Sequence, residues 1–442
     1  MDLLNDKVNK IYLKFLASAF GSALITSIYG LVDTAMVGQY HGPGGSAAMG
    51  IIAPFWNIIY SFGLLAGIGG SVLFAVEKGK SNRDPKNANT YFTASVIFGI
   101  LISAVLTAII FFKGDAMLRI FGADDNLIVL CRQYLLSVKF TVPFYVFSQI
   151  FAAFLRNDSN PALATKSVLV GGIFNVFGDW FFVFKLDMGI KGAGIATAIG
   201  AVISVLLMAT HFVSKKNTLK FVFPSKCFKL FGKISVNGFS TFLIDIAMGV
   251  LTMLFNRQIM KYLGTDALAV YAIIVNISTF VQCCGYGIGQ AAQPIISVNF
   301  GAKKIKRINE VLKYSIISAF ALGIIWTAAV FAAPNGFINL FMSPTENVLK
   351  IAPAIIRTYG ISFILLPLNV FATYYFQATL KPAVSVTISL ARGIVLSGIL
   401  IIILPVIFTP SSIWLSMPIT EAITSIFAVV SILIRQKKLN KQ

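Results

Sequence analysis

Four carboxylates fall inside long apolar runs, where an ionised group is expensive: Asp33, Asp179, Asp245 and Glu421. The other twelve Asp and Glu lie near helix ends or in loops. At bilayer depth an ion costs at least ~2.5 to 3.5 kcal/mol on insertion scales, so a carboxylate kept there is expected to hold a cation or a proton. Asn175 precedes Asp179 by four positions, which puts both side chains on one helix face. Thr197 lies early in the next apolar run, at the end of the close-packing stretch GIKGAGIAT. With Asp33 this makes two carboxylates, an amide and a hydroxyl. Such oxygens suit a hard monovalent cation, or a carboxylate pair that shares one proton because two like charges cannot cheaply coexist. The plainer reading of Asn175 and Thr197 is a hydrogen bond across helices, worth about 0.6 kcal/mol. Asp245 and Glu421 are further candidates, with a packing or capping role competing for Glu421 near a helix beginning.

Other chemistries lack material. His41, placed in an external loop, and His211, placed at a cytoplasmic helix end, form no cluster. Cys131, Cys227, Cys283 and Cys284 show no metal-ligand spacing, and the adjacent pair reads as small apolar filler. Neither a metal-dependent enzyme nor one built on a nucleophile and base is expected, and no cofactor is implied.

The elements that must position the acids follow from composition. With 57% apolar residues, 39 Phe, 12% charged residues and a mean hydropathy of +0.84, the chain is an all-α polytopic membrane protein. Twelve apolar stretches near the ~20 residues needed to cross a bilayer can be drawn: 11–36, 48–76, 90–112, 127–155, 162–184, 190–213, 234–260, 268–300, 311–341, 350–378, 383–408 and 412–434. With the N-terminus inside, 26 of the 36 Lys and Arg fall on the cytoplasmic side, so both termini are expected in the cytoplasm and the protein in the inner (plasma) membrane. The net charge of +20 is spread over seven short segments rather than one face, which argues against nucleic acid. The first span reads as an uncleaved signal anchor.

Residues 214–233, SKKNTLKFVFPSKCFKLFGK, form the longest basic stretch and read as a cytoplasmic linker between lobes 1–213 and 234–442. Matching segments lie either side, offset by roughly 220 residues. GIGGSVLFAVEKGK from Gly67 answers GIGQAAQPIISVNFGAKK from Gly287, FAAFLRNDSNPA from Phe151 answers FATYYFQATLKPA from Phe371, and WNI at Trp56 answers VNI at Val275. Six spans per lobe make parallel repeats about an axis along the membrane normal, with a central cleft between pseudo-symmetric lobes. Small-residue helix packing explains most of the 35 Gly, but not ordered matches at three places. Where lobe one carries Asn175 and Asp179, this offset puts Val395 and Ile399. Met36, Met248 and Met253 offer deformable surface for the cleft, with Asn57, Asp245, Asn276 and Gln290 as polar candidates. Pro161, Gly171, Gly172, Pro367 and Pro382 are expected to loosen helices locally.

The stretches LVDTAMVGQYHG around Asp33, LRNDSNPALATKSVLVGGIFNVFGDWFFVF with GIKGAGIAT, GIGQAAQPIISVNFGAKKIKR and IWLSMPITEA resemble the multidrug and toxic compound extrusion (MATE) family over essentially the whole chain. The resemblance implies two six-helix lobes around a central cavity. It also implies a monomeric secondary antiporter that exports amphipathic, often cationic compounds, driven by inward sodium or proton flow. Carried over by position, the family's lobe-one cation site falls on Asp33, Asn175, Asp179 and Thr197, a set that resembles the pattern of the DinF-like and related bacterial branches. The span-ten acid of the NorM-like branch is missing from PAIIRTYGISFILLPLNVFATYYFQAT, and Asp245 matches that branch's span-seven acid loosely. A lipid-linked precursor flippase of a related two-lobed family is the alternative. It would call for a strongly cationic cavity, whereas the mid-membrane charges here are mainly acidic, apart from Lys139 and Arg392.

Overall fold

In lipid each backbone polar group must find its partner within the segment, so long apolar runs become helices. The computed structural model describes residues 2–80, 85–224, 227–341 and 344–441, and among these there is no strand. The helices are α1 (Val8–His41), α2 (Pro43–Gly79), α3 (Pro85–Ile120), α4 (Leu127–Asn157), α5 (Pro161–Asp179), α6 (Gly189–Ala209), α7 (Cys227–Tyr262), α8 (Gly264–Gly301) and α9 (Ile305–Ala332). The short α10 (Pro334–Phe341) follows, then α11 (Glu346–Gly360), α12 (Leu366–Ala378), α13 (Pro382–Leu390), α14 (Leu396–Ile407) and α15 (Ser416–Leu439). Among the described residues eleven helical segments are long and apolar enough to cross a membrane, and α1, at 34 residues, brings the spans to twelve. Their outer faces stay apolar: Ile100, Val105 and Phe112 of α3 and Ile324 and Ile325 of α9 are all exposed, as lipid-facing residues should be.

Several helices depart from simple rods. Span ten is α11 and α12 joined through a tight turn at Ile361–Ile364, just before Pro367. Span eleven is α13 and α14 joined by a π-helical turn at Ala391–Val395, and α5 continues past Asp179 as a second π-helical turn, Trp180–Lys185. The single run drawn at 311–341 is interrupted at Ala333, because the residue before Pro334 is pushed out of the helical region. Pro161 and Pro382 do not loosen their helices. Each stands in the first turn, where a missing N–H has no intrahelical partner to lose. His41 is not in a loop but is the last residue of α1.

The chain divides into two compact units, Met1–Asp6 with Ala17–Phe242 and Lys7–Leu16 with Leu243–Gln442. Within the first, α2 packs on α3 and α4, α4 on α6, and α5 on α6. Within the second, α8 packs on α9, α11 and α12. The repeat is visible in how these pairs touch. A Cβ on Gly63 or Gly67 of α2 would run into Gln149 of α4, and one on Gly285 or Gly289 of α8 into Val370 or Tyr374 of α12.

The basic segment after α6 is extended from Asn217 to Pro224, and Cys227–Lys233 already belongs to α7. It is held at Asp158, which is 2% exposed. Lys78 Nζ lies 2.6 Å from Asp158 Oδ1, and His211 Nε2 lies 2.8 Å from Oδ2. The Thr218 N–H donates to Oδ2 over 2.9 Å and the Thr218 hydroxyl to Oδ1. Burial pushes the Asp158 carboxyl up, but the bonds from His211, Lys78 and Thr218 outweigh it and hold the group below the usual carboxylate range.

Candidate functional site

The site begins with two glycines. A Cβ on Gly200 of α6 would sit 2.7 Å from the Gly171 carbonyl of α5, so the two backbones are in contact there. Asn175, one turn after Gly171, and Thr197, almost one turn before Gly200, then face each other across the crossing. Ser204 reinforces it by donating to the Ser167 carbonyl over 3.1 Å. Gly200→Leu is expected to wedge the pair apart at a cost of about 1–3 kcal/mol; unchanged thermal unfolding of the purified protein would contradict this packing.

Helix α1 brings Asp33 to the same place and is tied to α5 and α6 near both ends. At one end Thr165 donates to the Ser18 carbonyl over 2.6 Å, and Ser18 donates to the Pro161 carbonyl over 2.9 Å. At the other, Tyr40 donates to Asp187 over 2.5 Å, and the Ile190 N–H donates to His41 Nε2 over 3.1 Å. Between these clamps the four residues singled out by sequence lie together. Asn175 Nδ2 donates to Asp33 Oδ1 over 3.0 Å and to Thr197 Oγ1 over 3.1 Å, and Thr197 donates to Asp33 Oδ2 over 2.9 Å. Asp33, Asn175, Asp179 and Thr197 are all at most 5% exposed.

Asp179 is the exception to the bonding. Its carboxyl lies within hydrogen-bonding reach of Asp33, yet neither of its oxygens has a donor among the described residues. Two facing carboxylates offer only acceptors, so a proton or a cation must stand between them. The oxygens at hand are the two carboxylates, the Thr197 hydroxyl and the Asn175 carbonyl oxygen, which has no partner among the described residues. That donor set suits a proton or a small hard cation rather than a soft metal.

Sequence reasoning missed Tyr134. It reaches in from α4, which approaches α6 at Gly194, where a Cβ would lie 3.1 Å from the Tyr134 carbonyl. The fully buried Tyr134 hydroxyl is 3.4 Å from Asp33 Oδ2 and 3.3 Å from Thr197 Oγ1, and it accepts from Trp56 Nε1 over 3.3 Å. A tyrosine in an apolar helix is ordinary. The only available signal was that a buried phenol needs a partner.

The cleft candidates are scattered. Met36 is half-buried on α1 and Asn57 exposed on α2. In the second unit a cavity is walled by Met248, Tyr271, Gln282, Tyr359, Arg392 and Met417, among others. Met253 is 72% exposed and lies off that wall, because five residues along a helix turn the side chain about 140° away from Met248. Asn276 is half-buried and bonds back to the Ala272 carbonyl over 3.2 Å, while Gln290 is buried. Asp245 accepts from Tyr286 over 2.6 Å, and Gln282 donates to the same phenol over 2.8 Å.

A buried ion pair was also missed. Arg392, in the π-helical turn of span eleven, donates from Nε (3.1 Å) and Nη2 (2.8 Å) to Glu421 Oε1. Asn369 Nδ2 donates to Glu421 Oε2 over 2.6 Å, and Ser425 to the Asn369 carbonyl oxygen over 2.9 Å. Glu421, 0% exposed, is thus neutralised from within rather than acting as a helix cap.

The family model described as MatE matches the chain twice, over residues 18–181 and 240–403. Val395 and Ile399, which the repeat offset sets opposite Asn175 and Asp179, are about half exposed, whereas Asn175 and Asp179 are buried. The chain is 22% identical over 421 residues to the multidrug export protein MepA of Staphylococcus saprophyticus, covering 94% of this chain and 92% of that one. It is 23% identical over 420 residues to MepA of Staphylococcus aureus strain MSSA476, covering 94% and 91%. Among solved structures, an outward-facing multidrug-resistance MATE transporter of the MOP superfamily superposes with a TM-score of 0.92 at 20% identity, covering 100% of this chain and 98% of that one. A MOP-superfamily transporter from Pyrococcus furiosus with a binding pocket of reversed polarity superposes at 0.91, also at 20% identity and with coverage of 100% and 98%. The fold is therefore the twelve-helix, two-lobed one of these transporters.

Proposed function

The chain belongs to the MatE family, and from that premise we propose that it is a secondary antiporter exporting amphipathic, often cationic compounds by alternating access. Inward sodium or proton flow drives it, coupled at Asp33, Asn175, Asp179 and Thr197. The observation that carries this reading is Asp179: a fully buried carboxylate facing a second one, with no donor among the described residues. A passive channel or a scaffold has no use for such a pair, whereas a carrier that must load and unload a cation does. The export names borne by the staphylococcal relatives support the same direction of transport. We place the protein in the inner membrane as a monomer with both termini in the cytoplasm, lobes at 1–213 and 234–442, and a DinF-like coupling site. A flippase for anionic lipid-linked precursors is disfavoured because the two cations that would have served it are engaged. Arg392 is paired with Glu421, and Lys139 lies 5.1 Å above the Phe111 ring.

The test is efflux from proteoliposomes under an imposed sodium gradient, an imposed pH gradient, or neither. Efflux of an amphipathic cationic dye is expected to follow one gradient; efflux that follows neither would overturn the antiport reading. Stoichiometry is restricted as well. One inward monovalent cation supplies about 2.3 kcal/mol per 100 mV, and a tenfold concentration ratio adds about 1.4 kcal/mol. One clustered site can carry one metal cation or two protons. Reversal potentials for a monovalent cationic drug should therefore show electroneutral exchange or one net inward charge. Three or more ions per drug would exceed what these residues can hold.

A further inference from the structure

The segment joining α6 to α7 is not a slack loop. Three alternate backbone amides in it are read by side chains of the first unit: Thr218 N–H by Asp158, Lys220 N–H by Asn89 over 2.9 Å, and Val222 N–H by Thr93 over 2.8 Å. The period of two belongs to an extended chain, and the spacing of four between Asn89 and Thr93 to one face of α3. Asn89 and Thr93 lie in the first turns of α3, and the step between them is about 6 Å along the helix. The segment therefore starts at the helix ends, where Asp158 holds it, and slopes along α3 into the apolar zone.

Its outward side chains follow the same gradient. Lys215, Lys216 and Lys220 are exposed and come first. Phe221 and Phe223, 59% and 78% exposed, come where the segment lies deeper. Residues 213–224, VSKKNTLKFVFP, contain three lysines and no acid. Asp158 faces inward, and Glu77 is paired with Lys80 at 2.5 Å. Exposed cations above exposed aromatic rings match the order of a leaflet, headgroup over acyl chain.

We propose that this segment is a fixed surface strap that binds anionic phospholipid headgroups of the adjacent leaflet, its lysines on the phosphates and Phe221 and Phe223 in the acyl boundary. A rigid site, already ordered by Asp158, Asn89 and Thr93, concentrates these lipids with little further ordering cost. Lysines near an anionic surface each strengthen association about fivefold. The probe is full-length protein taken from bilayers containing equal phosphatidylglycerol and phosphatidylcholine, with bound lipids counted by native mass spectrometry. Wild type is expected to retain phosphatidylglycerol in preference. The triple variant Lys215→Gln/Lys216→Gln/Lys220→Gln, whose changes are all exposed and leave the fold untouched, is expected to lose at least roughly tenfold of that preference. Phe223→Ser should weaken retention of both lipids while keeping the preference. Equal retention of the two lipids by wild type would overturn the proposal. So would a preference that survives the triple variant, since the lysines would then serve another partner, such as an acidic protein.

Discussion

Asp33→Asn and Asp179→Asn are each expected to abolish ion-coupled efflux while leaving folded protein in the membrane. The two carboxyls face each other at 3% and 0% exposure; Asn175 and Thr197 donate to Asp33, and among the described residues none donates to Asp179. An amide at either position keeps the volume but removes one of the two charges that a cation must balance, and it supplies a donor of its own. The site is then satisfied without an ion and has no reason to load one. Because Asp179→Asn removes a buried carboxylate that has no donor among the described residues, the stability of that variant should hold or rise slightly. The comparison is gradient-driven efflux per folded molecule, and normal rates in both variants would sink the lobe-one coupling site.

The second large effect is expected in the other unit. Arg392→Met should destabilise the protein by about 3–5 kcal/mol, since it strands Glu421 at 0% exposure with only the Asn369 amide for company. Removing both charges in Arg392→Met/Glu421→Leu should recover most of that loss, because an apolar pair of similar volume replaces the ions without a desolvation cost. Unfolding of the purified protein gives the difference, and a double variant no better than the single would show that something other than the stranded charge is at fault. The double variant is also expected to keep coupled efflux. Here the protein itself supplies the cation, in Arg392, whereas under the proposed function Asp33 and Asp179 take theirs from outside.

These two clusters show what the sequence makes legible. Asp33 and Asp179 stand out because charge inside an apolar run is conspicuous, and Asn175 follows because four residues on a helix share a face. The twelve spans are readable from the length of the apolar runs. Arg392 and Glu421 escape because their pairing is set by how spans eleven and twelve cross, which no local spacing encodes. Tyr134 escapes for the same reason: its partners Asp33 and Thr197 are 101 and 63 residues away. Helix irregularity is legible only where a residue forces it. Pro334 marks the end of α9, but nothing in WFFVFK announces a π-helical turn directly after Asp179.

One consequence of the hydrogen bonds around Asn175 concerns sign. Its nitrogen end meets Asp33 and Thr197, and its oxygen end meets no donor among the described residues. An amide is a positive and a negative pole on one short lever, and half a turn about its last bond exchanges them. With Asp33 ionised and the site unloaded, the nitrogen pole is the fitting one. With a cation seated between the carboxylates, the oxygen pole is. Asn175 can therefore follow the occupancy of the site by reversing its polarity with the backbone at rest, which neither a fixed acid nor a fixed base at that position could do.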